Sequence, residues 1–92
     1  MMAALDREAR LRQRLESRFE PTFLHILDEG HLHAGHAGAA DGRGHYRVKI
    51  LSAAFRGLTP LARHRLVYAA VADLLETDIH ALALEALPTL ER

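Results

Sequence analysis

Residues 45–52 read HYRVKILS. Tyr46, Val48 and Ile50 alternate with His45, Arg47 and Lys49. That period of two marks a strand with one buried and one wetted face. Upstream, residues 22–29 (TFLHILDE) read as a second strand, with Leu24 and Ile26 on one face and Phe23, His25 and Leu27 on the other. Two strands joined by a loop pair most simply as an antiparallel hairpin. Downstream, residues 80–87 (HALALEAL) read as a third strand, in which Leu82, Leu84 and Ala86 alternate with Ala83 and Glu85 before Pro88 stops it.

Helices flank these strands. Leu11, Leu15 and Phe19 recur at spacing four, with Ala4 a heptad before Leu11, and predict an amphipathic helix over residues 4–19. Pro21 ends it, because the residue before a proline is biased toward extended geometry. Thr59-Pro60 is a helix start, a hydroxyl cap followed by a proline whose missing N–H is not needed there. That helix is expected to run to about Glu76 with the stripe Val67, Ala70, Val71, Leu74 and Leu75. At 100° per residue His64 falls inside the stripe, as a buried packing residue. The order helix, strand, strand, helix, strand predicts an α+β fold. It is a two-layer αββαβ sandwich whose three-stranded mixed sheet carries both helices on one face. The crossover makes the third strand parallel to the second. Ninety-two residues form one domain, with its core over about residues 5–87.

The chemistry gathers between the first two strands. Residues 30–46, GHLHAGHAGAADGRGHY, hold four of the seven histidines and five of the six glycines. Imidazole binds metals and titrates near neutral pH, and glycine lets a loop close around something. If the third strand lies beside the second and parallel to it, His45 and His80 open neighbouring strands at one rim, with His31, His33 and His36 in the loop above them. The chain has no cysteine, so metal chemistry here uses imidazole, carboxylate or a partner's thiolate. No disulfide forms, no apolar run approaches the roughly 20 residues of a membrane span, and the N-terminal stretch reads as neither a signal nor a transit peptide. A cytoplasmic protein with no membrane partner is expected. Lysine plus arginine balances aspartate plus glutamate, which argues against strong non-specific nucleic-acid binding. No nucleophile elbow, phosphate loop or spaced carboxylate pair suggests an enzyme.

The segments EGHLHAGH (29–36), GHYRVKILSAAF (44–55), FRGLTPLARHRLVYAAV (55–71) and IHALALEA (79–86) together resemble the BolA family. The resemblance covers about residues 5–87. It implies a class II KH-like fold, in agreement with the order read above, and a role beside monothiol glutaredoxins in iron–sulfur cluster handling. The family's C-terminal histidine matches His80, and its loop ligand matches His33 best. His31 and His36 are alternatives, because this loop is longer and richer in histidine. His45 stands close behind them as a supporting residue. On this reading a [2Fe–2S] cluster takes two imidazoles here, while a glutaredoxin's thiolate and glutathione supply the remaining ligands. Alone, the chain is expected to be a monomer or weak homodimer. The family's other description, as DNA-binding regulators, directs attention to Arg47, Lys49, Arg63 and Arg65, with Arg56 nearby. FRGLTP is not, however, a clear GXXG clamp of the KH type.

Overall fold

The computed structural model describes residues 3–30 and 44–89, with side chains from residue 7 onward. Helix α1 spans Ala3–Phe19, strand β1 Phe23–Asp28 and strand β2 Gly44–Ser52. A 3-10 turn follows at Ala53–Phe55, then helices α2 (Pro60–Ala70) and α3 (Ala72–Thr77), and strand β3 (Ile79–Pro88). The sheet order is β1-β2-β3. β1 runs antiparallel to β2, with Ile26 opposite Val48, and β3 runs parallel to β2, with Leu84 opposite Val48. The α+β fold with a three-stranded mixed sheet is therefore as the sequence predicts.

Alternation decides what is buried. Ile26, Tyr46, Val48, Ile50, Leu82 and Ala86 turn to the helix side and pack with Leu11, Leu15, Val67, Val71 and Leu74. Each such large apolar side chain contributes about 1.5–3 kcal/mol by leaving water. His25, Leu27, Arg47, Lys49 and Glu85 lie exposed on the opposite face. Ser52 closes the far end of β2, its hydroxyl donating to Phe19 O at 2.5 Å and accepting from Ala54 N at 3.0 Å. Thr59 caps α2 as expected, its hydroxyl accepting from Ala62 N at 3.1 Å.

Three local readings are corrected. Glu20 is not extended: its φ of 44° is left-handed, and its N–H donates to Glu16 O at 3.0 Å. This is a left-handed helix cap, and Pro21 then prevents continuation. The predicted 60–76 helix is broken at Val71, whose φ of −116° and ψ of 19° leave the helical region. Arg14 of α1 holds the break: Nη1 donates to Ala70 O at 2.9 Å, and the guanidinium forks onto Asp73 at 2.6 and 3.0 Å. The third correction follows from the second. With Val71 and Leu74 no longer on the same helix, α2 buries only Val67 and Ala70, and His64 is exposed, stacked on Tyr68 with ring centres 6.4 Å apart. His64→Ala is accordingly expected to change unfolding free energy by less than about 0.5 kcal/mol, measured by urea titration. A loss of several times that would restore a packing role.

The Arg14–Asp73 fork also sets an acid dependence. Hydrogen bonding to the guanidinium holds the Asp73 carboxyl down at about 2. A carboxyl lowered on folding stabilises the fold above its ordinary value near 3.8 and loses that contribution as pH falls toward 2. Asp73→Asn should flatten the stability curve across that window, read by thermal melts at stepped pH. An acid limb identical to the parent's would show that the fork contributes nothing to it.

Candidate functional site

The loop that carries three of the histidines leaves β1 and returns to β2 at one rim of the sheet, and its two ends are fixed. Asp28 Oδ1 accepts from Gly30 N at 2.8 Å, closing an Asx turn as the chain leaves β1. Glu29 N donates to His45 O at 2.7 Å, and Arg47 Nε donates to Glu29 Oε2 at 2.8 Å. Bonding to that carboxylate raises the Arg47 pKa. Across the sheet, Gly44 N donates to Asp78 O at 3.0 Å, tying the start of β2 to the start of β3.

The β2–β3 register shifts at this point. Gly44 lies opposite Ile79, but His45 lies opposite Ala81. His80 is the extra residue, so the ladder passes it by. Such a bulge re-aims a side chain. Here it brings the His80 ring beside His45, with centroids 5.0 Å apart and planes at 48°. His80 is exposed, whereas His45 is only 5% exposed although alternation would put it on the wetted face. Directly beneath, Tyr46 is buried and its hydroxyl pKa is raised, first by that burial and then by the Asp28 charge, against an opposing pull from Arg7.

The rim therefore joins His45 and His80, residues 35 apart in the chain, as the topology requires. His31, His33 and His36 lie outside the described residues. Among the described residues no group of three or more His, Asp or Glu side chains is placed to hold a metal ion. The donor open to the surface is the His80 imidazole, a group that binds metals when neutral, with the His45 ring buried beside it. His25 and His64 are not part of it: one lies on the open sheet face, the other on α2. The basic candidates do not converge either. Arg47 and Lys49 sit on the open sheet face, while Arg63 and Arg65 sit on α2, which covers the other face. Arg63 is half-buried and donates to Leu58 O at 3.2 Å and Ala86 O at 2.9 Å, and Arg56 donates to Thr89 O at 2.9 Å. What the sequence reading missed is the bulge at His80 and the bond from Gly44 N to Asp78 O that ties β2 to β3 beside it.

This arrangement defines a class: a small α+β domain with a histidine rim at the point where a hairpin loop meets a parallel crossover strand. The profile of the BolA-like protein family matches residues 15–91, and the chain belongs to that family. It is 43% identical over 79 residues to BolA-like protein 1 of Homo sapiens, covering 86% of this chain and 56% of that protein. It is 38% identical over 81 residues to a DNA-binding transcriptional regulator BolA of Vibrio cholerae, covering 88% and 74%. BolA1 of Arabidopsis thaliana superposes with a TM-score of 0.78 at 35% identity, over 94% of this chain and 95% of that one. The chain spans about half the length of the curated human and plant relatives it matches. Among the described residues no helix is long and apolar enough to cross a membrane.

Proposed function

We propose that this chain is an accessory protein that shares a [2Fe–2S] cluster with a monothiol glutaredoxin. His80 and one loop histidine, His33 ahead of His31 and His36, supply imidazole to one iron. The partner's thiolate and glutathione hold the other. His45 supports His80 from behind. The observation that carries this reading is the His80 bulge, which sets an exposed imidazole beside His45 where the histidine loop returns. A chain with no cysteine cannot complete such a centre alone, which is what a shared one requires. The cluster brings electron-transfer and sulfur-delivery chemistry. The chain contributes neutral donors and a docking rim, and catalyses no reaction itself.

The test is a titration of the chain into a monothiol glutaredoxin holding the cluster and glutathione. A one-to-one complex should form, and the visible absorption and circular dichroism should shift as nitrogen replaces sulfur. A glutaredoxin spectrum unchanged to saturating chain would sink the proposal.

The name of the Vibrio relative favours a second reading, DNA binding. In that reading Lys49 and Arg65, both exposed, are the residues best able to meet phosphate. Since the four basic candidates are split between two faces, binding to a random duplex is expected to be micromolar or weaker at physiological salt, with a shallow log–log salt slope of about two or less. Tight, sequence-selective binding that Arg65→Ala removes would promote this reading over the first.

A further inference from the structure

The sheet has two edges, β1 and β3, and among the described residues only the β3 edge is guarded. On β2, Gly44 donates to Asp78 and Ser52 accepts from Thr89, so even-numbered residues face β3. His45 and Leu51 accept from Glu29 and Thr22, so odd-numbered residues face β1. The registers then turn the backbone groups of Leu82, Leu84 and Ala86 outward on β3, and those of Leu24, Ile26 and Asp28 outward on β1. Helix α2 covers the β3 edge: Tyr68 Oη donates to Leu82 O and Arg63 Nη1 to Ala86 O. Among the described residues no hydrogen bond meets the outward backbone groups of β1.

Nor does β1 carry the devices that blunt an edge. FLHILD contains no lysine and no proline, and its pairing with β2 has no bulge. On its open face Phe23 is 47% and Leu27 44% exposed. The strand is, moreover, complementary to itself. In an antiparallel pair whose twofold axis passes through His25, Leu24 meets Ile26 and Phe23 meets Leu27, each twice, while Thr22 meets Asp28. Moving the axis to Ile26 sets Leu24 against Asp28 and Phe23 against Glu29. Moving it to Leu27 sets Ile26 against Asp28. Only the axis at His25 keeps apolar against apolar on both faces while using the outward backbone groups.

We propose that β1 is a homodimerisation edge, at which two copies of this chain pair antiparallel about His25 to form one six-stranded sheet. The net charge of zero sets no long-range repulsion against it. One short strand and four apolar contacts make a small interface, so the dimer is weak and concentration-dependent. It needs neither cluster nor glutaredoxin, and its failure leaves the metal reading untouched.

The chain's lack of cysteine makes the test direct. At the axis the two His25 residues form a non-hydrogen-bonded pair, with Cα atoms about 4.5 Å apart, within disulfide range. In His25→Cys, two thiols give two electrons and two protons to diamide and form one intermolecular disulfide. This should proceed at least tenfold faster than in Lys49→Cys, which lies one strand inward on the same face. Sedimentation of the parent should show a dimer that grows with concentration, and Leu27→Lys, with unchanged far-UV circular dichroism, should remain monomeric. Equal cross-linking in the two cysteine variants would overturn the proposal. So would a parent that is monomeric throughout, or a Leu27→Lys chain that dimerises like the parent.

Discussion

Replacing His80 with alanine is expected to abolish the spectral shift seen when the chain meets cluster-loaded glutaredoxin, and to weaken the complex roughly tenfold or more, about 1.4 kcal/mol. The position favours a clean result. His80 is exposed and is bypassed by the β2–β3 ladder, so removing its ring opens no core cavity. Its effect on unfolding free energy should stay within about 0.5 kcal/mol, which separates lost ligation from lost fold. His33→Ala should reduce the shift only in part, because His31 and His36 share its loop. His45→Ala should also act in part, by removing the ring against which His80 rests. The decisive comparison is the double variant His33→Ala/His80→Ala: a complex with the parent's spectrum and affinity would remove both residues from the ligand set.

How much of this site could be read from the sequence depends on where local rules hold. Alternation in HYRVKILS fixes β2, and chain connectivity then fixes the parallel partner, so the meeting of His45 and His80 at one rim follows from sequence alone. The bulge does not follow. Alternation counts every residue of IHALALEA as paired, whereas the ladder skips His80, and His45 is buried on a face that periodicity calls wet. The helix break is hidden for a related reason. Residues 70–75 contain neither glycine nor proline, and the apolar period continues through Val71. What interrupts the helix there is a tertiary contact, Arg14 taking the Ala70 carbonyl and the Asp73 carboxylate. That unbroken period is also what puts His64 in the apolar stripe, where the structure leaves it exposed. The Ala86 and Thr89 carbonyls that engage Arg63 and Arg56 lie 23 and 33 residues away, where no local pattern reaches.

Gly44→Ala is expected to cost about 2–3 kcal/mol of stability and to damage the rim as well, through crowding rather than backbone strain. An ideal Cβ at residue 44 would sit 2.4 Å from Tyr46 Cε2 and 2.9 Å from Arg7 Cδ. The arginine stem can swing away, but the tyrosine ring is buried in the core and has nowhere to go. Either the ring or the start of β2 must move. The second course disturbs the Gly44–Asp78 bond and the register shift that sets His80 beside His45. Gly57→Ala is the control. Its φ of +77° needs glycine, yet nothing lies within 4 Å of the added methyl, so it should cost about 1 kcal/mol and leave cluster binding unchanged. Urea unfolding and the glutaredoxin titration read the two effects separately. A double-mutant cycle closes the argument, because the same methyl should become cheaper once the ring is gone. In a Tyr46→Leu background Gly44→Ala should lose at least half its cost, and a penalty identical in both backgrounds would show that the ring is not what excludes a side chain from position 44.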